Sequence, residues 1–312
     1  MNIKPTENKR LYGLDNYFNE IAKLYNEKLM PNKILFSGKK GLGKSTLAYH
    51  LINYILSENE VHKYDRESFS INTENRSFKL LQNNTHPNFH LIDLIEEKKN
   101  IDISQIRQMI TYTNKSSFNN NPKFILIDNL ECLNKNSVNA LLKIIEEPNK
   151  NTFFILIHNN EKIILPTLKS RCLNFKINLT FNDSIKISNK LLDKNIFELI
   201  NHDLINYYST PGEIINFINF SNIKKINLKN YTLNSFLIFL IDNNHYKKNK
   251  FVKSLIINFI ELYFLKEYKL SNTKNSLLNI YQNFINKIHN TEKFNLDEES
   301  LFIEFRSKLL NG

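Results

Sequence analysis

Residues 38–45 read Gly-Lys-Lys-Gly-Leu-Gly-Lys-Ser and fit the pattern G-x-x-x-x-G-K-[ST] in full. That spacing suits one kind of chemistry. Glycines let consecutive backbone N–H groups turn inward around a polyphosphate. A helix that begins at the lysine adds its positive N-terminal end. Lys44 would reach the terminal phosphates, and the Ser45 hydroxyl would ligate Mg²⁺. The phosphate-binding set is therefore Gly38, Gly41, Gly43, Lys44, Ser45 and Thr46, with ATP and Mg²⁺ as the expected cofactors; the loop alone does not separate adenine from guanine. The chain has only six glycines, and three of them stand in this one loop.

A second constellation lies about 80 residues on. Phe124-Ile125-Leu126-Ile127-Asp128 is an apolar run ending in a carboxylate, the arrangement by which a strand end holds Mg²⁺ beside a phosphate loop. Asp128 and Ser45 are thus the expected Mg²⁺ ligands. The next residue is Asn129. An amide orients water but does not accept its proton at neutral pH. Glu131, two positions on, is not expected to point at the same spot. His86 and His90 are four apart with a proline between them, and no further ligands stand near, so they read as a loop and a strand residue. Cys172 reads as a small buried residue. Glu146 and Glu147 diverge by about 100° on a helix and cannot converge on one substrate.

These residues need strands and helices to hold them. Apolar residues recur with helical period from Leu14 to Tyr25, and Pro31 follows. Ile34-Leu35-Phe36 reads as a short strand into the glycine loop, and a helix runs from Lys44 through Ile55. Residues 57–87 are polar and irregular, an insertion or a weak helix. Phe89–Ile92, Phe124–Ile127 and Phe153–Ile157 read as strands. Helical patterns lie between them, around 103–110 and 138–145, and Pro148 stops the second. Strands alternating with helices from about 30 to 176 predict a parallel α/β sheet. Beyond about 177 the strands stop and helix-length periodicity continues.

Composition sets outer bounds. The glycine count excludes collagen-like and Gly/Ser-linker architectures. No run approaches the ~18 apolar residues of a membrane span, and MNIKPTENKR has no apolar core of a secretory signal, so a cytoplasmic location without membrane contact is expected. Two cysteines alone cannot make a four-ligand zinc site or a disulfide framework. A net charge of +11 with pI near 9.3 suits a polyanion partner. It also suits coding bias, because Asn occurs 51 times and Lys outnumbers Arg 36 to 6.

Residues 134–148 end in Asn-Ala-Leu-Leu-Lys-Ile-Ile-Glu-Glu-Pro and resemble the N-A-L-L-K-x-x-E-E-P segment of bacterial DNA polymerase III clamp-loader subunits. Leu165-Pro-Thr-Leu-Lys-Ser-Arg-Cys172 resembles the segment ending in their Ser-Arg-Cys motif. With the phosphate loop and Leu11-Tyr12-Gly13, the resemblance covers roughly residues 10–176. It implies an AAA+ fold: a nucleotide-binding α/β domain over 1–176, a small helical lid over 177–227 and a helical collar for oligomerisation over 228–312. It implies that Arg171 is an arginine finger acting in trans on a neighbour's ATP, that Tyr12 and Gly13 receive the adenine, and that His158 or Asn159, with Asn159 preferred, holds the sensor-1 position. Motor subunits of the family (gamma and tau) have a glutamate after the Walker B aspartate, a zinc-binding cysteine cluster and a sensor-2 arginine. Here stand Asn129, no cysteine between the loop and Asp128, and Glu213 or its neighbours after Thr210-Pro211-Gly212. The resemblance is therefore to the delta-prime type. It implies a hetero-pentamer with gamma/tau and delta subunits that loads a sliding clamp on primed DNA during replication, with weak or absent ATPase of its own. The rival expectations are an autonomous AAA+ ATPase, such as a motor-type subunit, and a nucleic-acid-binding module with a vestigial nucleotide site.

Overall fold

The computed structural model describes residues 4–95, 98–247, 249–270, 274–294 and 299–307. The chain forms two compact units. The first comprises the chain through Asp193 together with Ser209–Asn219, and the second comprises Lys194–Tyr208 and the chain from Phe220 onward. Residues 177–193 and 209–219 thus group with the α/β part, whereas the expectation from resemblance placed a boundary at 176/177.

The first unit is built on five parallel strands, β1 (Lys33–Ser37), β2 (Phe89–Ile92), β3 (Lys123–Ile127), β4 (Thr152–His158) and β5 (Leu173–Lys176), in the spatial order β2-β3-β4-β1-β5. Ile34 pairs with Ile155 on one side and Leu173 on the other, and Ile125 with Phe154. Parallel sheets bury both faces, and the strand sequences suit that: Ile34–Phe36 and Phe124–Ile127 are fully buried. Alternation then divides the core. Ile34, Phe36, Phe124, Leu126, Ile155 and Ile157 pack with α1 (Asp15–Asn26) and α2 (Lys44–Leu56) through Phe18, Ile21, Leu47 and Ile52. Leu35, Ile125, Ile127, Phe154 and Leu156 pack with α4 (Ile103–Thr113) and α5 (Lys135–Glu146) through Ile106, Met109, Leu141 and Ile145.

Strand β5 was not resolved as a separate element by the sequence pattern. Leu-Asn-Phe-Lys alternates, and only Phe175 is buried, so this edge strand lacks the apolar run that marked the central ones. The polar stretch 57–87 contains one helix, α3 (Arg76–Gln82), capped by the Asn75 side chain. It is fixed by polar contacts: Glu60 accepts from the Arg76 and Ser77 backbone amides. Such anchoring has no hydrophobic period to betray it. His86 is buried in this region and accepts from the Asn88 amide, and His90 stacks on Tyr112.

Helices α6 (Pro166–Lys169) and α7 (Phe181–Leu192) complete the first unit. The second contains α8 (Ile196–Leu199), α10 (Leu233–Asp242), α11 (Lys250–Leu270), α12 (Lys274–Phe294) and α13 (Glu299–Phe305), while α9 (Pro211–Lys224) crosses the division. Its core is aromatic: Phe236 meets Phe259 with ring centroids 5.7 Å apart, and Phe264 meets Phe305 at 6.0 Å. Among the described residues no helix is long and apolar enough to cross a membrane, and no group of three or more His, Cys, Asp or Glu could hold a metal ion.

Candidate nucleotide site

The strand order brings the chemistry together. β4 lies between β1 and β3, so the loop after β1, Asn159 after β4 and Asp128 after β3 emerge side by side at the carboxyl edge of the sheet. Ligands of open α/β sheets bind there. A cleft of about 260 Å³ opens at that edge, lined by the phosphate loop from Lys40 to Thr46, by Asp128, Asn129 and Asn159, and by apolar side chains that include Leu11, Ile187 and Ile215.

The loop takes the conformation its glycines permit. Gly41 and Gly43 have φ of 84° and 86°, a region in which a Cβ is strained. Lys44 is the first residue of α2 and only 3% exposed. Its Nζ donates to the carbonyls of Gly38 (2.8 Å) and Lys39 (2.7 Å). Burial pulls its pKa down to about 8, while Asp128, Glu131 and Glu161 oppose the shift. Ser45 Oγ donates directly to Asp128 Oδ2. Asp128 also accepts from the Asn129 amide at 2.8 Å. Burial and the nearby Asp93 push its pKa up, while the Ser45 hydroxyl, the Asn129 amide and Lys44 pull it down. A hydroxyl and a carboxylate in contact form a hard-oxygen donor pair, the chemistry Mg²⁺ selects. The Thr46 hydroxyl accepts from Asn8 Nδ2 at 3.4 Å.

Asn159 rather than His158 reaches the cleft. Its Nδ2 donates to Asn129 Oδ1 at 3.0 Å, and its backbone N–H donates to Glu131. Glu131 therefore acts on the Asn159 backbone. His158 Nε2 instead meets the Lys162 carbonyl. Asn129 has φ of 54°, a left-handed conformation that asparagine tolerates better than most residues.

Residues 8–12 form a strap along the cleft. His50 Nε2 faces the Asn8 carbonyl at 3.0 Å and so carries the proton, leaving Nδ1 to accept from Tyr64 at 2.9 Å. Burial lowers the His50 pKa to about 4, so the ring is neutral near pH 7. Tyr12 lines the cleft, with Arg10 and Lys190 each 5.6 Å from its ring centroid. Gly13 does not line it. Gly13 turns against Ile187, whose Cδ1 would lie 2.5 Å from an added Cβ.

The start of α9 closes the loop from outside. Gly212 N–H donates to Gly41 O at 2.9 Å, Thr210 Oγ1 donates to Lys40 O at 2.9 Å, and Lys39 pairs with Glu213 at 2.9 Å. A Cβ on Gly212 would lie 2.7 Å from Gly41 Cα. Glu213 is thereby turned to Lys39, and Asn216 lines the cleft in its place. The contact of Gly212 with Gly41 joins residues far apart in the chain, so no local pattern reveals it.

Arg171 stands elsewhere. It precedes β5, at the amino edge of a parallel sheet whose carboxyl edge holds the cleft. Its Nη1 donates to the Thr167 carbonyl at 2.8 Å and its Nη2 pairs with Glu146 at 2.8 Å, with side chains 36% and 51% exposed.

The sequence model of the family described as DNA polymerase III, delta subunit matches residues 13–180. The DNA polymerase III subunit delta' of Pseudomonas aeruginosa is 31% identical over 138 residues, 44% of this chain and 40% of that protein. The subunit delta' of Buchnera aphidicola subsp. Schizaphis graminum is 32% identical over 163 residues, 52% and 47%. A subunit gamma of the same Buchnera is 29% identical over 202 residues, 64% and 50%. The chain thus matches half or less of the length of these relatives. Among solved structures, the Thermotoga maritima RuvB Holliday junction branch migration motor is 13% identical, covering 78% of this chain and 81% of that one with a TM-score of 0.44. The Bacillus subtilis DNA clamp loader delta protein is 13% identical, covering 93% and 83% with a TM-score of 0.33. Both are too distant to carry an inference.

Two outcomes test the cleft. Gly212→Ala should lower stability by about 1–3 kcal/mol, the usual range for overpacking, and weaken ATP–Mg²⁺ binding; calorimetric unfolding and titration check both. Lys44 loses its charge as pH rises through about 8. ATP affinity should therefore be level from pH 6.5 to 7.5 and fall toward pH 9, with no such fall in Lys44→Met. A level profile in the native chain would remove Lys44 from the phosphates.

Proposed function

The chain belongs to the DNA polymerase III, delta subunit family, and from that premise we propose that it is the delta-prime-type subunit of a bacterial clamp loader. The observation that carries the proposal is a division of labour within one cleft. The cleft gathers the loop from Lys40 to Thr46, Asp128 and Tyr12, and the position next to Asp128 holds an amide. Gly38, Gly41 and Gly43 give the backbone cradle, Lys44 and the α2 N-terminus meet the phosphates, and Tyr12 with its apolar neighbours faces the base. Ser45 and Asp128 would hold Mg²⁺. Bound there, Mg²⁺ supplies charge neutralisation across the phosphates.

Arg171 fits action in trans. Its place at the opposite edge of the sheet keeps it from its own nucleotide. A guanidinium stabilises charge spread over phosphoryl oxygens better than an ammonium does. Its pairing with Glu146 is exposed, and such pairs contribute only about 0.2–1 kcal/mol, so the guanidinium is readily released to a neighbour. The subunit would sit in a hetero-pentamer with gamma/tau and delta subunits in the cytoplasm, hold the ring together through a collar of residues 228–312 and carry residues 177–227 as its helical lid. ATP binding in the neighbour would favour the assembly that opens a sliding clamp on primed DNA; this requires ATP to bind the two assembly states with different affinity.

The intact phosphate loop favours one rival, an autonomous motor-type ATPase. Steady-state turnover by the purified chain separates them. We expect ATP–Mg²⁺ binding with turnover far below about 1 s⁻¹, the lower end of the ordinary enzyme range; a rate at or above that would establish the rival. In the reconstituted complex, Arg171→Ala should lower turnover at the neighbouring site it reaches by about 10³-fold or more, as loss of such a finger does, and total ATPase by that site's share, with assembly unchanged by gel filtration. An unaltered ATPase would withdraw the finger assignment.

A further inference from the structure

One carboxylate beside the cleft has no part in holding the nucleotide. Asp93 follows β2, and β2 pairs directly with β3, with Ile92 opposite Ile127. The pairing sets Asp93 beside Asp128 and Asn129. Asn129 Nδ2 donates to Asp93 Oδ1 at 2.6 Å, and the Leu94 N–H donates to the same oxygen at 2.7 Å. Asp93 Oδ2 takes no hydrogen bond among the described residues. The side chain is half-buried. On α2, burial first, then the field of Asp128 and last that of Asp93, raise the pKa of the Tyr49 phenol. Asn129 is held at its other end by Asn159, so Asp93, Asn129 and Asn159 form one chain of polar side chains across the ends of β2, β3 and β4.

We propose that Asp93 is the proton-accepting group of this site, with Asn129 orienting the attacking water. The carboxylate and amide are both there, on neighbouring strands. In the step, the water oxygen forms a bond to the γ-phosphorus and the bond from that phosphorus to the β–γ bridging oxygen breaks. ADP leaves with that electron pair, and the water proton passes to Asp93 Oδ2 through one further water. Asp93 stands behind Asn129 rather than in the cleft wall, which makes the step slow and agrees with the low turnover expected above.

The proposal rests on the reading of the cleft as an ATP–Mg²⁺ site, and the test separates the two. Full-length chain is compared as native, Asp93→Asn and the exchanged pair Asp93→Asn/Asn129→Asp. Two readouts are used: affinity for a non-hydrolysable ATP analogue with Mg²⁺, and single-turnover release of γ-phosphate from ATP. Asp93→Asn keeps an oxygen for Asn129 and Leu94 to donate to and loses only the base. Aspartate, like asparagine, tolerates the left-handed backbone at 129, so the exchange restores a carboxylate without strain. We expect analogue affinity within twofold in all three, phosphate release at least tenfold slower in Asp93→Asn, and recovery to the native rate or above in the exchanged pair. Release in Asp93→Asn within twofold of native, no release by the native chain, or no recovery in the exchanged pair would overturn the proposal. Loss of analogue binding in the native chain would instead overturn the reading of the cleft.

Discussion

A lysine buried at the amino end of a helix organises this site. Lys44 is the first residue of α2, where the helix macrodipole is already positive, and burial makes its charge harder to keep. Two loop carbonyls, Gly38 and Lys39, and the fields of Asp128 and Glu131 sustain the charge. That requirement sets much else. The loop must curl back on the ammonium, which demands positive φ at Gly41 and Gly43. Asp128 must lie close, which requires β3 two strands from β1. A polyphosphate would answer both positive groups at once.

The outer wall of the loop depends on the absence of side chains. Gly41 and Gly212 approach so closely that neither accepts a Cβ, and the α9 N-terminus hydrogen-bonds to the loop through Gly212 and Thr210. The start of α9, well beyond the sheet in sequence, thereby becomes part of the cleft wall. Any displacement of the loop would be felt directly by Thr210, Gly212 and Glu213. No long-range path has to be invoked for that coupling, because the groups touch.

At the floor of the cleft, the Asn129 amide joins Asp93 to Asn159, and Glu131 receives the Asn159 backbone. Four polar residues from three strand ends thus settle into a single network. The left-handed backbone at Asn129 fits this residue type, so side chain and backbone are matched at that position.

The sequence by itself determined the phosphate loop, the central strands and the carboxylate after β3, because each is a contiguous pattern: glycine spacing, a buried apolar run, a strand ending in aspartate. It held a second instance of the last pattern, Phe89–Asp93, and only sheet order showed that this second aspartate stands beside the first. Tertiary structure alone decided what depends on residues distant in the chain. It joined Gly212 to Gly41, turned Glu213 to Lys39 so that Asn216 faces the cleft, turned Gly13 away from it, and put Arg171 at the opposite edge from the cleft. The physical reason is that periodicity and spacing report what a segment needs from its surroundings, burial or a tight turn. They do not report which other segment supplies it, because strand order, and with it each neighbour, is set by how the whole sheet and its helices share one core.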